Sequence, residues 1–467
     1  MILIDELVAL LGPDRVRHHP LDLEVFSKDA GVTRGDVIAA TLPETVQEVA
    51  AIVRVARRHG ISIVPRGAGT GLAGGAVPVK PGLLVVLTRL NEILAVDEIG
   101  RTAWVGPGVI NLDLSKHLGS LGLHFAPDPS SQQACTVGGN VGTNAGGPHC
   151  LADGTTVAHI LAVEMVSAEG DIITVGSEAP DQPGFDLRAV VVGSEGTIGI
   201  ITKVLVRLTE NAPDVATILI GFPTIEGAAA TVSGIVASGL IPAALEIMDQ
   251  PMVEAVENFV HAGYPTDAGA VLLAEITGTP ASVEAGVEVV RSAAQAHEAT
   301  EVRVATDALE RALLWKGRKA AFGAVAQISP DYYLHDTVVP RTALVDVMTK
   351  IYEIGRRYDL RMLNVFHAGD GNLHPLVAFD AKEQGMFEKV QAAAREMVDV
   401  SIEAGGSLSG EHGIGLEKRD LMHLVFSDID LDAQARVREA FDDEAIMNPS
   451  KVLPEGSRCF DVNGVRL

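Results

Sequence analysis

Pro65-Arg66-Gly67-Ala68-Gly69-Thr70-Gly71-Leu72-Ala73-Gly74-Gly75 decides how this chain is read. Glycines at this density let backbone N–H groups converge on an anion, because no Cβ blocks the approach. Residues 69–74 spell G-x-G-x-x-G, but that pattern marks a dinucleotide site only where it opens a helix. Pro78 and Pro81 follow at once and argue against a helix there. The Gly-Lys-Ser/Thr of a nucleoside triphosphate loop is also missing. Upstream, residues 61–65 read as a short strand running straight into the loop. Before it, Thr45 and Glu48 form a capping box on a helix whose Val46, Val49, Ala50, Val53 and Ala56 share one apolar face. Alone, such a loop is as readily a structural turn as a binding site.

Two further glycine-rich pieces change that balance. Asp128-Pro129-Ser130-Ser131 leads to Thr136-Val137-Gly138-Gly139-Asn140-Val141-Gly142-Thr143-Asn144-Ala145-Gly146-Gly147, within a stretch over 122–147 that reads as mostly irregular. The third piece is Val192-Gly193-Ser194-Glu195-Gly196-Thr197-Ile198-Gly199-Ile200-Ile201-Thr202. Two phosphate-sized cradles fit the two ends of a large dinucleotide better than one phosphate.

In this order the three pieces resemble the FAD-binding domain of the vanillyl-alcohol oxidase/p-cresol methylhydroxylase superfamily. The resemblance implies FAD held between two α+β subdomains, with its pyrophosphate on residues 66–71 and its isoalloxazine near 135–147. The implied contacts on the first loop are Pro65, Arg66, Gly67, Ala68, Gly69, Thr70 and Gly71. On the second they are Pro129, Thr136, Val137, Gly138, Gly139, Gly142, Thr143, Asn144 and Gly146. Glu195, Gly196, Gly199, Ile200 and Ile201 complete the set, with Asn448 near the flavin. Some members tether FAD through His or Cys. Here His149 and Cys150 lie near the second loop, and the reading is non-covalent, since a His beside a loop more often forms a hydrogen bond.

A second chemistry sits in the C-terminal half, in Met362-Leu363-Asn364-Val365-Phe366-His367-Ala368-Gly369-Asp370-Gly371-Asn372-Leu373-His374. Asp-Gly is the strongest short signal for a two-residue hairpin turn. With that turn, His367 lies opposite His374, their Cβ atoms about 5 Å apart on one face. Two imidazoles so placed can share a metal ion, although a pair of ordinary strand histidines would read the same. Glu411, in Gly410-Glu411-His412-Gly413, offers a third ligand. Two His and one Glu with an open position make a catalytic metal pattern, usually zinc. His412 is then a general base, or the two exchange roles. Arg318, on a helix expected over 306–322, can clamp a carboxylate through its guanidinium fork.

With Asp331-Tyr332-Tyr333 and Asp336-Thr337-Val338-Val339-Pro340-Arg341, these motifs resemble the flavin subunit of bacterial glycolate oxidase and the related D-lactate and D-2-hydroxyglutarate dehydrogenases. The resemblance covers nearly the whole chain. It implies His367, His374 and Glu411 as metal ligands, His412 as base and Arg318 as substrate clamp. The D-2-hydroxyglutarate enzymes carry Thr, Lys and Asn where this chain aligns Phe322, Leu334 and Leu376. Glycolate or D-lactate is therefore the expected substrate, oxidised to the 2-oxo acid. The electron acceptor stays open: in the glycolate system the resemblance implies a second flavin-type subunit and an iron–sulfur subunit. A homo-oligomer is compatible with the sequence.

Composition bounds the rest. A chain of 467 residues exceeds one ordinary core. The expected division is a helical lead-in over 1–35, an FAD-binding α+β domain of the p-cresol methylhydroxylase type over 36–211, an α+β cap domain with an antiparallel sheet over 212–410, and a returning segment over 411–467. A net charge of −25 with no basic stripe argues against nucleic acid. Cys135, Cys150 and Cys459 form no CxxC pair, so no iron–sulfur cluster is expected on this chain. The acidic N-terminus does not read as a signal peptide, and no apolar run reaches the ~18 residues of a membrane span. The expectation is a cytoplasmic protein, peripheral to the inner membrane only through partners. Two other classes compete: a zinc hydrolase, which needs no glycine-rich loops, and a non-catalytic flavoprotein subunit, which needs no His/His/Glu set.

Overall fold

Thr45 and Glu48 do cap a helix, Val46–Arg58: the Thr45 side chain accepts from the Glu48 N–H at 3.2 Å, and the Glu48 carboxylate accepts from the Thr45 N–H at 3.3 Å. The computed structural model describes residues 2–179 and 183–454, so Cys459 lies outside the described residues. The chain divides into two units. The first holds Met1–Gly146, Gly154–Asn211 and Glu411–Leu467, and the second holds Gly147–Asp153 and Ala212–Gly410.

In the first unit the capped helix connects two parallel strands. Val37–Thr41 and Ser62–Arg66 each pair with Gly82–Val86 between them. Val49, Val53 and Ala56 on the helix pack with Ile63, Leu83 and Val85 in one buried cluster. A second, antiparallel sheet has the order Ile93–Asp97, Thr102–Val105, Ile200–Arg207, Ile160–Val166, Ile172–Gly176. The stretch 122–147 is less irregular than its glycines suggest, because Val137–Thr143 is a helix capped by Thr136, whose side chain accepts from the Gly139 N–H.

The second unit is built on an antiparallel sheet containing Asp214–Phe222, Ala244–Asp249, Ala270–Gly278, Glu301–Val304 and Arg361–His367. Side chains alternate across a strand. Ile218, Ile220, Leu245, Ile247, Leu272, Ala274 and Phe366 meet the helices Ile225–Ala237, Pro280–Ala296 and Leu344–Arg357 in one apolar core. The intervening residues therefore occupy the other face, and there the polar groups collect. The helix expected over 306–322 is two, Ala308–Lys319 and Ala321–Val325, separated at Ala320. Among the described residues, no helix is long and apolar enough to cross a membrane.

Candidate functional site

The three glycine-rich pieces meet in the first unit. The strand Ser62–Arg66 delivers the chain into the first loop. A Cβ on Gly67 would lie 2.4 Å from Thr136 Oγ1, and one on Gly196 would lie 2.2 Å from Pro65. The Gly193 N–H donates to the Val141 carbonyl at 2.9 Å, and the Glu195 N–H donates to the Gly142 carbonyl at 2.8 Å. Several expected cofactor residues hold this frame together. Arg66 donates to the Lys28 carbonyl at 2.8 Å and fills the space beside Gly69. Gly138 packs on Pro107, Asn144 ends the helix at φ +52°, Thr143 Oγ1 donates back to the Gly139 carbonyl, and Pro129 accepts from Gln132. Gly199 leads into Ile200 and Ile201, which are buried in the antiparallel sheet. The backbone N–H groups of Ala68, Gly69, Thr70 and Gly71, by contrast, donate to no protein acceptor.

Glu195 is buried at φ +52°, and its Oε1 accepts from the Ile414 N–H at 2.7 Å and the Gly415 N–H at 3.0 Å. Burial pushes its carboxyl up to about 7. Asn448 donates to the Glu195 and Gly75 carbonyls at 2.6 and 2.7 Å, so it ties the third piece to the first. Glu411 and His412 stand just before the turn that Glu195 holds, with 3.7 Å between a Glu411 oxygen and His412 Nε2.

In the second unit, two glutamates interrupt apolar strands on the face away from the core. Glu275 pairs across strands with Ala244 and Thr217, and Glu246 pairs with His367. One helix serves both. Trp315 Nε1 donates to Glu275 at 2.5 Å, and three residues on Arg318 Nη2 lies 2.5 Å from Glu246 Oε2. Residues three apart share a helix face. Glu275 also accepts from Thr217 and meets His149 Nε2 at 3.1 Å, so His149 is a hydrogen-bonding residue of the second unit. Glu246 takes His367 Nδ1 at 2.8 and 2.9 Å on its two oxygens. Arg318 Nη2 and His367 Nδ1 are both donors, 3.4 Å apart, held by the carboxylate they share. The Arg318 side chain is 1% exposed, and its buried Nε has no protein partner.

The hairpin departs from the expected register. His367 pairs with Asn372 and not with His374, and residues 368–371 form the loop. The Gly371 N–H closes it on the His367 carbonyl at 3.1 Å, with Gly371 at φ +83°. A Cβ there would strike the Val339 carbonyl at 2.1 Å. The Asp-Gly signal thus belongs to a longer turn fastened to a neighbouring segment. The pairing is displaced by two residues, and because side chains alternate with period two the displacement keeps the face. His367 and His374 remain neighbours, with ring centroids 5.1 Å apart at 88°. His374 Nδ1 donates to the His335 carbonyl at 3.3 Å. Asp336, fully buried, accepts from Ser409 Oγ at 2.6 Å and from the Gly410 N–H at 3.1 Å, which anchors the residue just before Glu411.

Sequence reading missed Glu246. The signal was present: a lone carboxylate within Ala243-Ala244-Leu245-Glu246-Ile247-Met248 must find partners if the strand is buried.

Residues 212–452 match the family described as FAD linked oxidases, C-terminal domain, and residues 37–176 match the one described as FAD binding domain. The chain is 43% identical to the glycolate oxidase subunit GlcD of Escherichia coli strain K12, over 97% of this chain and 93% of that protein. It is 33% identical to a D-lactate dehydrogenase of Anaerostipes hadrus, over 95% of each. Among solved structures, p-cresol methylhydroxylase with substrate bound aligns with a TM-score of 0.83, at 15% identity and over 98% of each chain. That likeness is one of fold.

Proposed function

This chain belongs to the FAD-linked oxidases, and on that footing we propose that it oxidises the carbinol carbon of a small 2-hydroxy acid, glycolate or D-lactate, to the 2-oxo acid. The supporting observation is the buried Arg318–Glu246–His367 cluster beside His374 on the polar face of the sheet. The first-unit loops suit FAD. The N–H groups of Ala68–Gly71 are half-buried or exposed donors without a protein acceptor, and a Cβ on Gly142 would meet nothing within 4 Å. FAD, when bound, supplies the two-electron acceptor.

The histidines suit a divalent metal such as zinc. Carboxylate and carbonyl oxygens only accept, so the Nδ1 atoms of His367 and His374 carry the protons. In its neutral form each ring presents Nε2 as its lone-pair donor, which is the usual state of metal-bound histidine. Glu411 supplies the carboxylate of the set. A divalent metal bound there would acidify the substrate hydroxyl. Arg318 holds the substrate carboxylate, using guanidinium N–H groups that Glu246 leaves over, and His412 takes the hydroxyl proton as C2 loses its hydride.

Leu334 and Leu376, two of the positions compared with the D-2-hydroxyglutarate enzymes, are cross-strand partners and both buried. An apolar pair there offers nothing to a second carboxylate. It favours a short substrate. The E. coli relative is named as a subunit, which favours a partner protein as the electron acceptor.

The test is anaerobic titration of the purified flavoprotein with glycolate, D-lactate, L-lactate and D-2-hydroxyglutarate, with and without chelator. Flavin absorbance should bleach with glycolate or D-lactate and recover its insensitivity when metal is removed. No bleaching by any of the four would sink the proposal. His412→Ala should keep FAD and slow bleaching about 10²- to 10⁴-fold; an unchanged rate would remove His412 as the base.

A further inference from the structure

One carboxylate stands behind both of the groups given separate tasks above. Glu246 and His367 are direct cross-strand partners, and Arg318 reaches the same carboxylate from a helix. The Glu246 side chain is 0% exposed, so bulk solvent does not reach it. We infer that Glu246 is a positioning residue that sets the tautomer of His367 and the aim of Arg318 together, so that the hold on a divalent metal and the hold on the substrate carboxylate depend on one group. The inference rests on the metal and clamp readings above.

The chemistry of the acceptor explains why no other side chain would serve. A carboxylate has two accepting oxygens and no donor. One oxygen takes His367 Nδ1 alone, and the other takes both Nδ1 and Arg318 Nη2. His367 must then carry its proton on Nδ1, and in the neutral ring the lone pair sits on Nε2. An amide of the same shape has one oxygen and one NH₂. With its oxygen toward Arg318, its NH₂ faces Nδ1, which must give up its proton; Nε2 then becomes N–H and cannot ligate. With the amide turned round, its NH₂ meets the guanidinium donor to donor, and Arg318 loses its aim. Glu246→Gln therefore breaks one hold or the other with almost no change of volume. A carboxylate that merely neutralised charge would show no such trade.

The experiment uses the full-length, FAD-loaded protein and reads zinc affinity by competition with a chromophoric chelator, beside kcat and KM for whichever of glycolate or D-lactate bleaches the flavin. Glu246→Gln should raise the zinc dissociation constant about ten- to a hundred-fold, as loss of an outer-sphere partner does, or raise KM by a similar factor if the amide turns toward His367. The flavin-to-protein ratio should not change. His374→Ala separates the two levels of the argument, because its imidazole leans on the His335 carbonyl. If His374→Ala weakens zinc and Glu246→Gln leaves both zinc affinity and KM within twofold of wild type, the inference about Glu246 is overturned and the metal reading stands. If neither variant weakens zinc, the metal reading itself falls. Should Glu246→Gln not fold, Glu246→Asp keeps charge and both acceptors but withdraws them by one methylene. Zinc affinity or KM must then still worsen, and unchanged values count against the inference in the same way.

Discussion

Glu246 and Glu195 are both buried carboxylates, one in each unit, and they are satisfied in opposite ways. Glu246 faces a guanidinium and an imidazole N–H, so its charge is met by side chains. Glu195 faces two backbone amides of a glycine turn, Ile414 and Gly415, and burial pushes it up to about 7. A carboxylate held by a cation must stay a carboxylate to do its work. One held by neutral amides needs only to offer an oxygen. The first kind positions chemistry and the second positions chain, and substitution can tell them apart.

The largest effect is expected at the partner of Glu246. Arg318→Met removes the cation and leaves a buried charge with one imidazole, a loss of about 3–5 kcal/mol for a broken buried pair. Denaturant unfolding should register it. Replacing both members by apolar residues removes the uncompensated charge, so the Arg318→Met/Glu246→Met double variant should be more stable than Arg318→Met alone. A double variant no better than the single one would show that the pair is not what makes the charge tolerable.

Much of this frame can be read from short-range pattern, and what cannot depends on contacts across the chain. The Thr45/Glu48 box is legible because its partners are three residues apart. The absence of a helix after the first loop follows from Pro78 and Pro81. The helix Val137–Thr143 was hidden by Gly138, Gly139 and Gly142, poor helix formers. It stands because Thr136 caps it and Gly138 lets it approach Pro107, where a Cβ would lie 2.5 Å away. The histidine pair was legible as a shared face and misread as a register, since Asp370-Gly371 signals a turn without fixing its length. Glu246 and His367 are 121 positions apart on strands that are not consecutive, so only the sheet order brings them together.

Glu195 supplies the contrasting substitution. Glu195→Gln keeps an oxygen for the Ile414 and Gly415 N–H groups, and near neutral pH it replaces a carboxyl that burial has already made about half protonated. Its cost should be under ~1 kcal/mol, the range of a retained neutral hydrogen bond. Glu195→Ala strands both amides and should cost about 1–3 kcal/mol for each. It should also slow substrate oxidation, because the turn it holds follows Glu411 and His412 directly. If Glu195→Gln proves as damaging as Glu246→Gln, the distinction between the two carboxylates fails.

The smallest effect tests the charge environment of Glu195 through its neighbour. Lys451 is fully buried, and desolvation pulls it down to about 7 from 10.5, against the attraction of Glu195 and Asp29 and with repulsion from Arg419 and Arg438. Between those two values the unfolded chain holds a proton that the folded one has released. Stability contributed by Lys451 therefore rises with pH from about 7 toward 10.5 and is flat below that window. Lys451→Met removes the group, so the variant's melting temperature should lack this component of the wild-type rise between pH 7 and 9. Parallel curves for the two proteins across that interval would mean that Lys451 stays charged in the fold. Glu195 would then have a second full cation near it besides Lys418, and the contrast with Glu246 would narrow to the difference between ion pairs at a distance and one in contact.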